Sequence, residues 1–362
     1  MKIAIIIGTR PEIIKLSSII RYCEEQKLDY FIIHTNQHYS ENMDKIFFKE
    51  LKLSQSKYNL NIGSGNHGEQ TGKMLIEIEK ILFHENPDIV LVQGDTNTVL
   101  AGALVASKIH IKIGHVEAGL RSYDRKMPEE INRVITDHIS DYLFVPTEKQ
   151  KKILLGEGIS KEKIFVVGNT IVDATFQNIN LSRKEEHLQK YFLKKNNYFL
   201  VTMHRAENTD DINALKNILI SFEKIYNKYR MPLFYPIHPR TRKMLDKFKL
   251  KISPGLILHD PVGYLEFLQL LENTRLVLTD SGGVQEESCI LGVPCVTLRE
   301  NTERPETVEI GANIIVGTKS ENVLKGIEKM LCSMKNWKQP FGDGNTGKKI
   351  IEILTQKLDH GK

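Results

Sequence analysis

The amino-acid sequence predicts an α/β protein built from two doubly wound domains that face a cleft. Short apolar runs alternate with amphipathic helical patterns, and the alternation pauses once around Gly168–Asp173 before it resumes. A length of 362 residues also exceeds that of one ordinary domain. Strands that alternate with crossover helices form a parallel sheet covered on both faces. Because such sheets bind ligands at the carboxyl ends of their strands, polar residues at those ends are the candidates for function.

The first series of elements predicts an N-terminal domain over residues 1–168. The predicted strands are Ile3–Ile7, Tyr30–His34, Ile89–Val92, Ile111–His115, Tyr142–Val145 and Ile164–Val167. The predicted helices lie near residues 12–25, 41–50, 68–84, 97–107, 129–139 and 148–156. A last helix, Thr346–Leu358, follows a glycine-rich break and is expected to pack back on this domain, which therefore also takes residues 346–362.

The second series predicts a C-terminal domain over residues 169–345. Its predicted strands are Phe199–Met203, Leu233–Ile237, Leu256–Leu258, Arg275–Thr279 and Cys295–Leu298, with helices between them. The charged stretch Ser182–Asn197 is expected to be helical and to act partly as a connection.

Composition argues against several classes of partner. The 50 basic and 45 acidic residues are mixed along the chain, so the net charge of +5 predicts an anionic small substrate and no nucleic acid. No stretch reaches the ~18 apolar residues needed to span a membrane, and the run Ile3–Ile7 is too short for a signal peptide. The four cysteines form no CxxC pair, which is typical of buried thiols in a reducing compartment, and we expect a cytoplasmic protein.

The first turn, Gly8 to Glu12, directly follows the first strand. Pro11 suits the first helical position, and Arg10 offers a forked cation at a helix N-terminus, with Lys15 one turn later. This pattern predicts a clamp on phosphate, although an ordinary capped helix with surface charges has the same residues. Because no dinucleotide-binding or Walker motif is present, the sequence does not favour redox or ATP chemistry.

Acidic side chains recur at the predicted strand ends of the first domain. Asp95 follows one strand, Glu117 follows the next, and Glu129 and Glu130 begin a helix after Pro128. Each has a structural alternative, since Asp95 can cap a helix and carboxylates favour a helix N-terminus. Their convergence on one rim instead predicts acid–base chemistry.

Histidines and loop charges supply further candidates. His204 follows the first strand of the second domain and is expected to hold phosphate, deliver a proton or cap its loop. A metal site would need His115, Glu117, His204 and His238, and these residues lack any recognisable ligand spacing, so no metal is predicted. Arg304, in a loop after a strand, is expected near phosphate, whereas Gln37-His38 is a weaker signal.

The segment Leu276 to Leu291 is the most informative part of the chain. An apolar strand ends at Thr279, a polar turn covers Asp280 to Gly283, and a helix begins at Val284. This layout presents free backbone N–H groups to an anion. Glu286 and Glu287 follow in the first turn and suit sugar hydroxyls, so the segment predicts binding of a nucleotide with a diphosphate and a ribose.

Taken together, these residues resemble the non-hydrolysing UDP-N-acetylglucosamine 2-epimerases over nearly the whole chain. The motifs that carry the resemblance are Gly8-Thr9-Arg10-Pro11-Glu12, Gly94-Asp95-Thr96, His115-Val116-Glu117-Ala118-Gly119-Leu120-Arg121, Pro128-Glu129-Glu130, Gly168-Asn169-Thr170, Thr279-Asp280-Ser281-Gly282-Gly283-Val284-Gln285-Glu286-Glu287 and Thr302-Glu303-Arg304-Pro305-Glu306. The resemblance implies two Rossmann-like domains of the GT-B type. It also implies reversible epimerisation at C2 by anti elimination of UDP to 2-acetamidoglucal and re-addition, without a nicotinamide or a metal.

The resemblance further implies which residues act. The implied catalytic residues are Asp95, Glu117, Glu129 and His204. The implied substrate-binding residues are Arg10, Lys15, Ser281, Gly282, Gly283, Glu287 and Arg304, with His204 also matching a diphosphate or sugar contact. A UDP-sugar substrate and a homodimer are implied as partners.

The sequence departs from many bacterial members of this family at two places. The loop between Leu120 and Pro128 is shorter, and Gln37-His38 is followed by Tyr39-Ser40-Glu41 where those members bind a second, activating substrate molecule. Four alternatives stay open: an epimerase of UDP-2,3-diacetamido uronic acids, a GT-B glycosyltransferase, a hydrolysing epimerase, and a nucleotide-binding module without catalysis.

Overall fold

The computed structural model describes residues 1–37, 47–333 and 335–359. Its contacts divide the chain into two compact units, Met1–Gln177 with Phe341–Lys362, and Asn178–Pro340. Each unit is built on one parallel sheet with alternating helices, which confirms the predicted fold class. Within the described ranges, every helix is too short or too polar to span a bilayer.

The first unit contains a parallel sheet in the order β3-β2-β1-β4-β5-β6-β7. Its strands are β1 (Lys2–Ile7), β2 (Asp29–His34), β3 (Tyr58–Asn59), β4 (Ile89–Gln93), β5 (Lys112–Val116), β6 (Tyr142–Val145) and β7 (Ile164–Val166). Its helices include Arg10–Glu25, His67–Glu85, Asn97–Lys108, Pro128–Ile139, Glu148–Gly156 and Thr346–Asp359, and the helix Thr170–Ser182 begins in this unit and ends in the second. The central residues of β1, β2, β4, β5 and β6 are buried because helices cover both faces of the sheet.

The second unit contains a parallel sheet in the order β10-β9-β8-β11-β12-β13. Its strands are β8 (Phe199–Thr202), β9 (Leu233–Pro236), β10 (Leu256–His259), β11 (Leu276–Thr279), β12 (Cys295–Thr297) and β13 (Asn313–Ile315). Its helices include His187–Lys190, Ala206–Thr209, Ile212–Tyr229, Pro239–Lys247, Tyr264–Asn273, Gly282–Ile290, Pro305–Glu309 and Ser320–Cys332.

Three parts of the sequence-based prediction need comment. The expectation of a helix over Ser182–Asn197 was wrong for most of that stretch, where only His187–Lys190 is helical beyond the end of the preceding helix. The strands β3 and β13 were missed because they have only two and three residues, fewer than the roughly four that a strand pattern normally shows. The predicted helix at 41–50 lies largely outside the described residues, which resume at Phe47.

The last helix, Thr346–Asp359, packs against Arg10–Glu25 within the first unit. The two helices approach closely, because a Cβ atom added to Gly347 would lie 3.0 Å from the carbonyl carbon of Ser18. The Asp173 carboxylate also accepts a hydrogen bond from the Gly347 N–H at 2.8 Å, which satisfies a donor at the start of this helix.

Glycine at position 119 is required by both its dihedral angle and its surroundings. Its φ is +79°, and an added Cβ would lie 2.9 Å from the carbonyl oxygen of Gln150. Gly158 has a similar φ of +84° but no atom within 4 Å of the added Cβ. A substitution at Gly158 therefore introduces left-handed strain alone, whereas one at Gly119 introduces strain and steric overlap together.

We predict that Gly158→Ala lowers the free energy of unfolding by about 1 kcal/mol, from left-handed strain alone. Gly119→Ala should lower it by about 2–4 kcal/mol, because overlap with backbone adds to that strain. Urea denaturation of the two variants and the wild-type protein measures both. Equal losses would contradict the close approach at Gly119.

Candidate active site

The candidate site of the first unit lies at the carboxyl ends of β1, β4 and β5. These strands are neighbours in the sheet, so the residues that follow them share one edge. Arg10 and Lys15 lie on the helix after β1, Asp95 follows β4, and Glu117 follows β5. The Arg10 guanidinium lies over the Phe47 ring, 5.7 Å from its centroid.

Glu117 and Lys15 form a buried ion pair at this edge. The Lys15 Nζ lies 2.6 and 2.7 Å from the two carboxylate oxygens of Glu117. Gln93 Nε2 also donates to this carboxylate, and Asn169 Nδ2 donates to it at 3.4 Å. Glu117 has a φ of +67°, an uncommon value for a residue other than glycine. Such strain is often found where a side chain is held for function.

Asp95 is held by the helix Pro128–Ile139. Arg133 donates from Nε and Nη2 to Asp95 Oδ2 at 2.9 and 2.7 Å, and Asn132 Nδ2 donates to the Asp95 carbonyl oxygen at 2.9 Å. The expected alternative role for Asp95 as a helix cap was wrong, because Thr96 is the N-cap of Asn97–Lys108 and accepts from the Val99 N–H. The Asp95 carboxylate remains partly exposed.

The two adjacent glutamates, Glu129 and Glu130, have different surroundings. Glu129 is exposed in the first turn of its helix. Glu130 is buried and accepts from the backbone N–H groups of Ser122 and Tyr123, both at 2.9 Å, and from Arg133 Nη1 at 2.5 Å. Burial raises the pKa of Glu130, but these donors outweigh it and the pKa is lowered.

A buried charge network lies beside these residues. His115 Nε2 donates to the Gly94 carbonyl oxygen at 2.8 Å, and its Nδ1 lies 2.7 Å from Asp137 Oδ1. Arg121 joins Asp137 to Glu157 through contacts of 2.7 and 2.6 Å. Burial raises the pKa of Asp137, but the contacts with His115 and Arg121 lower it by more, so the pKa lies below its ordinary value. Both ring nitrogens of His115 are therefore engaged in contacts within the protein.

The sequence analysis missed Arg133, Asp137 and Gln93. A usable signal was present on the helix Pro128–Ile139, where charged residues recur at positions 130, 133 and 137, the spacing of one helical face. That polar face is buried, while Ile131 and Ile135 on the other side are exposed. This inversion of the usual pattern marks a helix that presents charges to the interior.

Glu12 is a fully buried carboxylate beneath the first turn. It accepts from the backbone N–H groups of Gly8 and Thr9 and, at 2.6 Å, from the Thr96 hydroxyl. Burial outweighs these donors and raises the pKa of Glu12 to about 7. Glu12 therefore ties the turn after β1 to the turn after β4.

Gln37 is buried, and its Oε1 accepts from the Thr98 hydroxyl at 2.9 Å. His38 and the following Tyr39-Ser40-Glu41, which bear on a second substrate site, lie outside the described residues.

In the second unit, Asp280 organises the ends of β8 and β11. This buried carboxylate accepts from the backbone N–H groups of His204 and Arg205, both at 3.0 Å, and from Asn208 Nδ2 at 3.1 Å. The His204 ring is exposed, with Nδ1 at 3.3 Å from Asp280. Burial raises the pKa of Asp280, yet His204 and these donors lower it overall. The loop that carries His204 is thus fixed to the start of the glycine turn.

The helix Gly282–Ile290 begins directly after β11, with Ser281 as its N-cap. The first N–H groups of a helix lack partners within the helix and favour an anion. A Cβ added to Gly282 or Gly283 would have no atom nearer than 3.9 Å, so the backbone is accessible here. Ser281, Gly282 and Gly283 therefore form an open turn whose backbone N–H groups suit an anion.

Three glutamates of the second unit, which lie in the helix after this turn or in the loop after β12, have partners within that unit. Glu287 is buried and accepts from the Tyr264 hydroxyl at 2.9 Å. Glu286 pairs with Arg304, whose Nε lies 2.7 Å from Glu286 Oε1. Glu303 accepts from both Nη atoms of Arg299, and this cation lowers the pKa of Glu303 to about 2 although burial raises it.

Both the sequence and the structure of this chain are similar to those of known proteins. The family model described as UDP-N-acetylglucosamine 2-epimerase matches residues 21–355. The chain is 63% identical to the UDP-N-acetylglucosamine 2-epimerase of Methanocaldococcus jannaschii over 362 residues, covering 98% of this chain and 99% of that protein. The crystal structure of that enzyme in complex with UDP-GlcNAc and UDP has a TM-score of 0.89, covering 98% of this chain and 100% of the other. The chain is also 42% identical to the UDP-2,3-diacetamido-2,3-dideoxy-D-glucuronate 2-epimerase of Pseudomonas aeruginosa, covering 98% of this chain and 100% of the relative.

We predict that Glu12→Gln changes how stability depends on pH. Because the pKa of Glu12 is raised to about 7, its favourable contribution is present below its ordinary value of 4.5 and is lost as pH rises through 7. Glutamine cannot ionise. The free energy of unfolding of the variant should therefore rise by on the order of 3 kcal/mol, relative to that of the wild-type protein, as the pH increases from about 5 to about 8. Urea denaturation at both pH values measures this, with Glu79→Gln at an exposed position as the control. A difference independent of pH would refute it.

Proposed function

The chain belongs to the UDP-N-acetylglucosamine 2-epimerase family, and from that membership we propose that it interconverts UDP-N-acetylglucosamine and UDP-N-acetylmannosamine. The identity of 63% over nearly the whole chain with the M. jannaschii enzyme is the observation that carries the proposal. The residues at the strand ends of both units supply the chemical groups that this reaction requires.

The proposed reaction proceeds by elimination and re-addition. The C1–O bond breaks and its electron pair leaves with UDP, while a base takes the proton from C2 and the C–H electrons form a C1=C2 double bond. UDP then returns to C1 as an acid delivers a proton to the opposite face of C2. The reaction needs a base, an acid and cationic groups for the leaving diphosphate.

Asp95, Glu117 and Glu129 are the proposed acid–base groups, with His204 as an additional catalytic residue. Asp95 and Glu117 follow neighbouring strands, and each carboxylate has a cation in contact with it. Glu129 is exposed at a helix start and is therefore accessible to a substrate.

The nucleotide-binding groups are proposed to lie mainly in the second unit. The open turn at Ser281, Gly282 and Gly283 suits the diphosphate, and Glu287 suits the ribose hydroxyls. Arg304 is the proposed cation of this set, while Arg10 and Lys15 supply positive charge in the first unit. No cofactor has a place in this proposal.

A second substrate is favoured by one observation. The identity of 42% to the P. aeruginosa 2-epimerase supports activity on a UDP-2,3-diacetamido uronic acid. The same elimination would serve that sugar, because its C1 and C2 carry the same bonds. The higher identity to the M. jannaschii enzyme makes UDP-N-acetylglucosamine the first choice.

The proposal extends to a cytoplasmic homodimer. All four cysteines are free thiols, which suits a reducing compartment. Ile76 and Phe83 are 57% and 67% exposed, seven residues apart on the helix His67–Glu85. Ile131 and Ile135 are exposed on Pro128–Ile139, and both helices pack against Asn97–Lys108. Exposed apolar residues in one helical layer support association of two copies there.

We predict that the wild-type protein incorporates solvent deuterium at C2 when UDP-N-acetylglucosamine is incubated in heavy water. Asp95→Asn, Glu117→Gln and Glu129→Gln should each lower the exchange rate by about 10²–10⁴-fold, as expected for the loss of a general acid or base. Glu79→Gln, at an exposed glutamate, is the control. Mass spectrometry and proton NMR measure the label.

Each other outcome selects a different function. Transfer of the sugar to an acceptor without label at C2 would support a glycosyltransferase. Release of free N-acetylmannosamine would support a hydrolysing epimerase. Faster exchange with the uronic-acid nucleotide would support the second substrate, and full activity in all three variants would refute the assigned carboxylates.

We also predict that Phe83→Asp converts the protein from dimer to monomer, because a charge would be buried without a partner in the proposed interface. Sedimentation velocity measures the mass. Phe192, which is 96% exposed in the second unit, provides the matched control Phe192→Asp, which should leave the dimer intact. A dimer that survives Phe83→Asp would place the interface elsewhere.

A further inference from the structure

The helix Pro128–Ile139 holds Asp95 by two consecutive residues. Asn132 donates to the main-chain carbonyl of Asp95, and Arg133 donates twice to its side chain. Both the backbone and the carboxylate of Asp95 are therefore fixed to the same turn of one helix. A residue whose backbone and carboxylate are both held is more constrained than one held by a single ion pair.

The guanidinium of Arg133 contacts only one oxygen of Asp95. Nε and Nη2 both donate to Oδ2, whereas no hydrogen bond from a described residue reaches Oδ1. Two N–H donors that converge on one oxygen fix the position of that oxygen, and the hydrogen bond from Asn132 fixes the backbone that carries the side chain. The contact with Arg133 therefore leaves Oδ1 as the oxygen available to a reacting atom.

Glu130 holds the other side of the same guanidinium. Arg133 Nη1 donates to Glu130 Oε2, and that carboxylate also accepts from the backbone N–H groups of Ser122 and Tyr123 and from the Ser122 hydroxyl at 3.0 Å. Tyr123 has a φ of +59°, so the loop adopts a conformation that a tyrosine rarely takes. A continuous chain of hydrogen bonds thus runs from this loop to Asp95.

Burial decreases along this chain towards Asp95. The Glu130 side chain is 5% exposed, that of Arg133 is 11% exposed, and that of Asp95 is 32% exposed. Two buried charges are costly, and apolar residues of similar size often replace them without loss of stability. Packing alone therefore does not account for an arginine and a glutamate here, whereas orientation of the accessible carboxylate does.

We infer that Glu130 and Arg133 are positioning residues that hold Oδ2 of Asp95, leave its Oδ1 for the substrate, and make this orientation depend on the loop at Ser122 and Tyr123. The inference rests on the proposed function, since it assigns a role in the epimerisation. It adds two residues outside the catalytic set and explains how a loop contributes without contacting the reacting atoms.

The test compares Arg133→Lys and Glu130→Gln with the wild-type protein. Lysine keeps the positive charge but cannot form the fork, and glutamine keeps the shape of Glu130 without its charge. We expect kcat to fall about 10- to 100-fold in both, since small misplacement of a reacting group has effects of this size. KM and the Kd for UDP should change less than about twofold, because the proposed nucleotide contacts lie elsewhere.

The pH profile provides a readout that a purely structural role would not change. A carboxylate is protonated more easily when its contact with a cation weakens and less easily when that contact strengthens, so the acidic limbs of the kcat profiles of Arg133→Lys and Glu130→Gln should move in opposite directions. In Arg133→Lys, where one donor replaces the fork, the limb should move to higher pH. In Glu130→Gln, Arg133 loses its second anion and should interact more strongly with Asp95, so the limb should move to lower pH.

The matched control is Glu148→Gln. Glu148 and Lys151 form an ion pair with the same three-residue spacing in the first turn of Glu148–Gly156, and the Glu148 side chain is 65% exposed. This variant should keep the wild-type kcat and pH profile. Circular dichroism at the assay temperature confirms that each protein is folded, and if Glu130→Gln is unfolded, Arg133→Lys decides the matter.

The outcomes are separable. If the wild-type protein binds UDP but shows no epimerisation, the proposed function is refuted and this inference with it. If the wild-type protein epimerises the substrate while folded Arg133→Lys keeps its kcat and its pH profile, the positioning role alone is overturned. Opposite shifts of the acidic limb in the two variants, with unchanged UDP binding, would establish it.

Discussion

The pairing of buried charges at the strand ends of the first sheet is the interaction on which the candidate site depends. The sheet order places the ends of β1, β4 and β5 side by side, which would leave Glu117 as a buried carboxylate without water. An unpaired charge in that position would be strongly destabilising. Lys15, on the helix that follows β1, supplies the compensating cation. The same contact that compensates the buried charge also holds a carboxylate beside the place where parallel sheets bind ligands.

The helix Pro128–Ile139 supplies the cation that contacts Asp95, because its charged face turns inward. Its buried residues include Glu130, Arg133 and Asp137, and each contacts a charged partner in the first unit. The cost is an apolar side left exposed at Ile131 and Ile135. A helix that only covered a sheet would have the opposite arrangement. This helix therefore organises charges, and its exposed side remains available for contact with another protein surface.

The sequence predicted the strands well because buried parallel strands are continuous apolar runs, as in Ile3–Ile7 and Ile89–Val92. It also placed Asp95 and Glu117 at one edge, since topology alone determines which strand ends are neighbours. It could not identify their partners, because the contact of Lys15 with Glu117 joins residues 102 positions apart and depends on how the helices pack. Strand β13 was also missed because of tertiary contacts. Its first residue, Asn313, is polar but is buried through hydrogen bonds to Gln285 and Thr307, which no local sequence pattern encodes.

The chemistry of the carboxylates bears on how the proposed elimination would proceed. A carboxylate is a weak base, with an ordinary pKa of about 4, and Asp95 and Glu117, two of the proposed acid–base groups, are both carboxylates. The C2 proton of the sugar is itself weakly acidic, because no carbonyl group is attached to that carbon. A weak base acting on a weak acid requires that departure of UDP run ahead of proton transfer, so that positive charge at C1 acidifies C2–H. The greatest demand then falls on stabilising the leaving diphosphate, which is the task for which the open helix N-terminus at Ser281, Gly282 and Gly283 is suited.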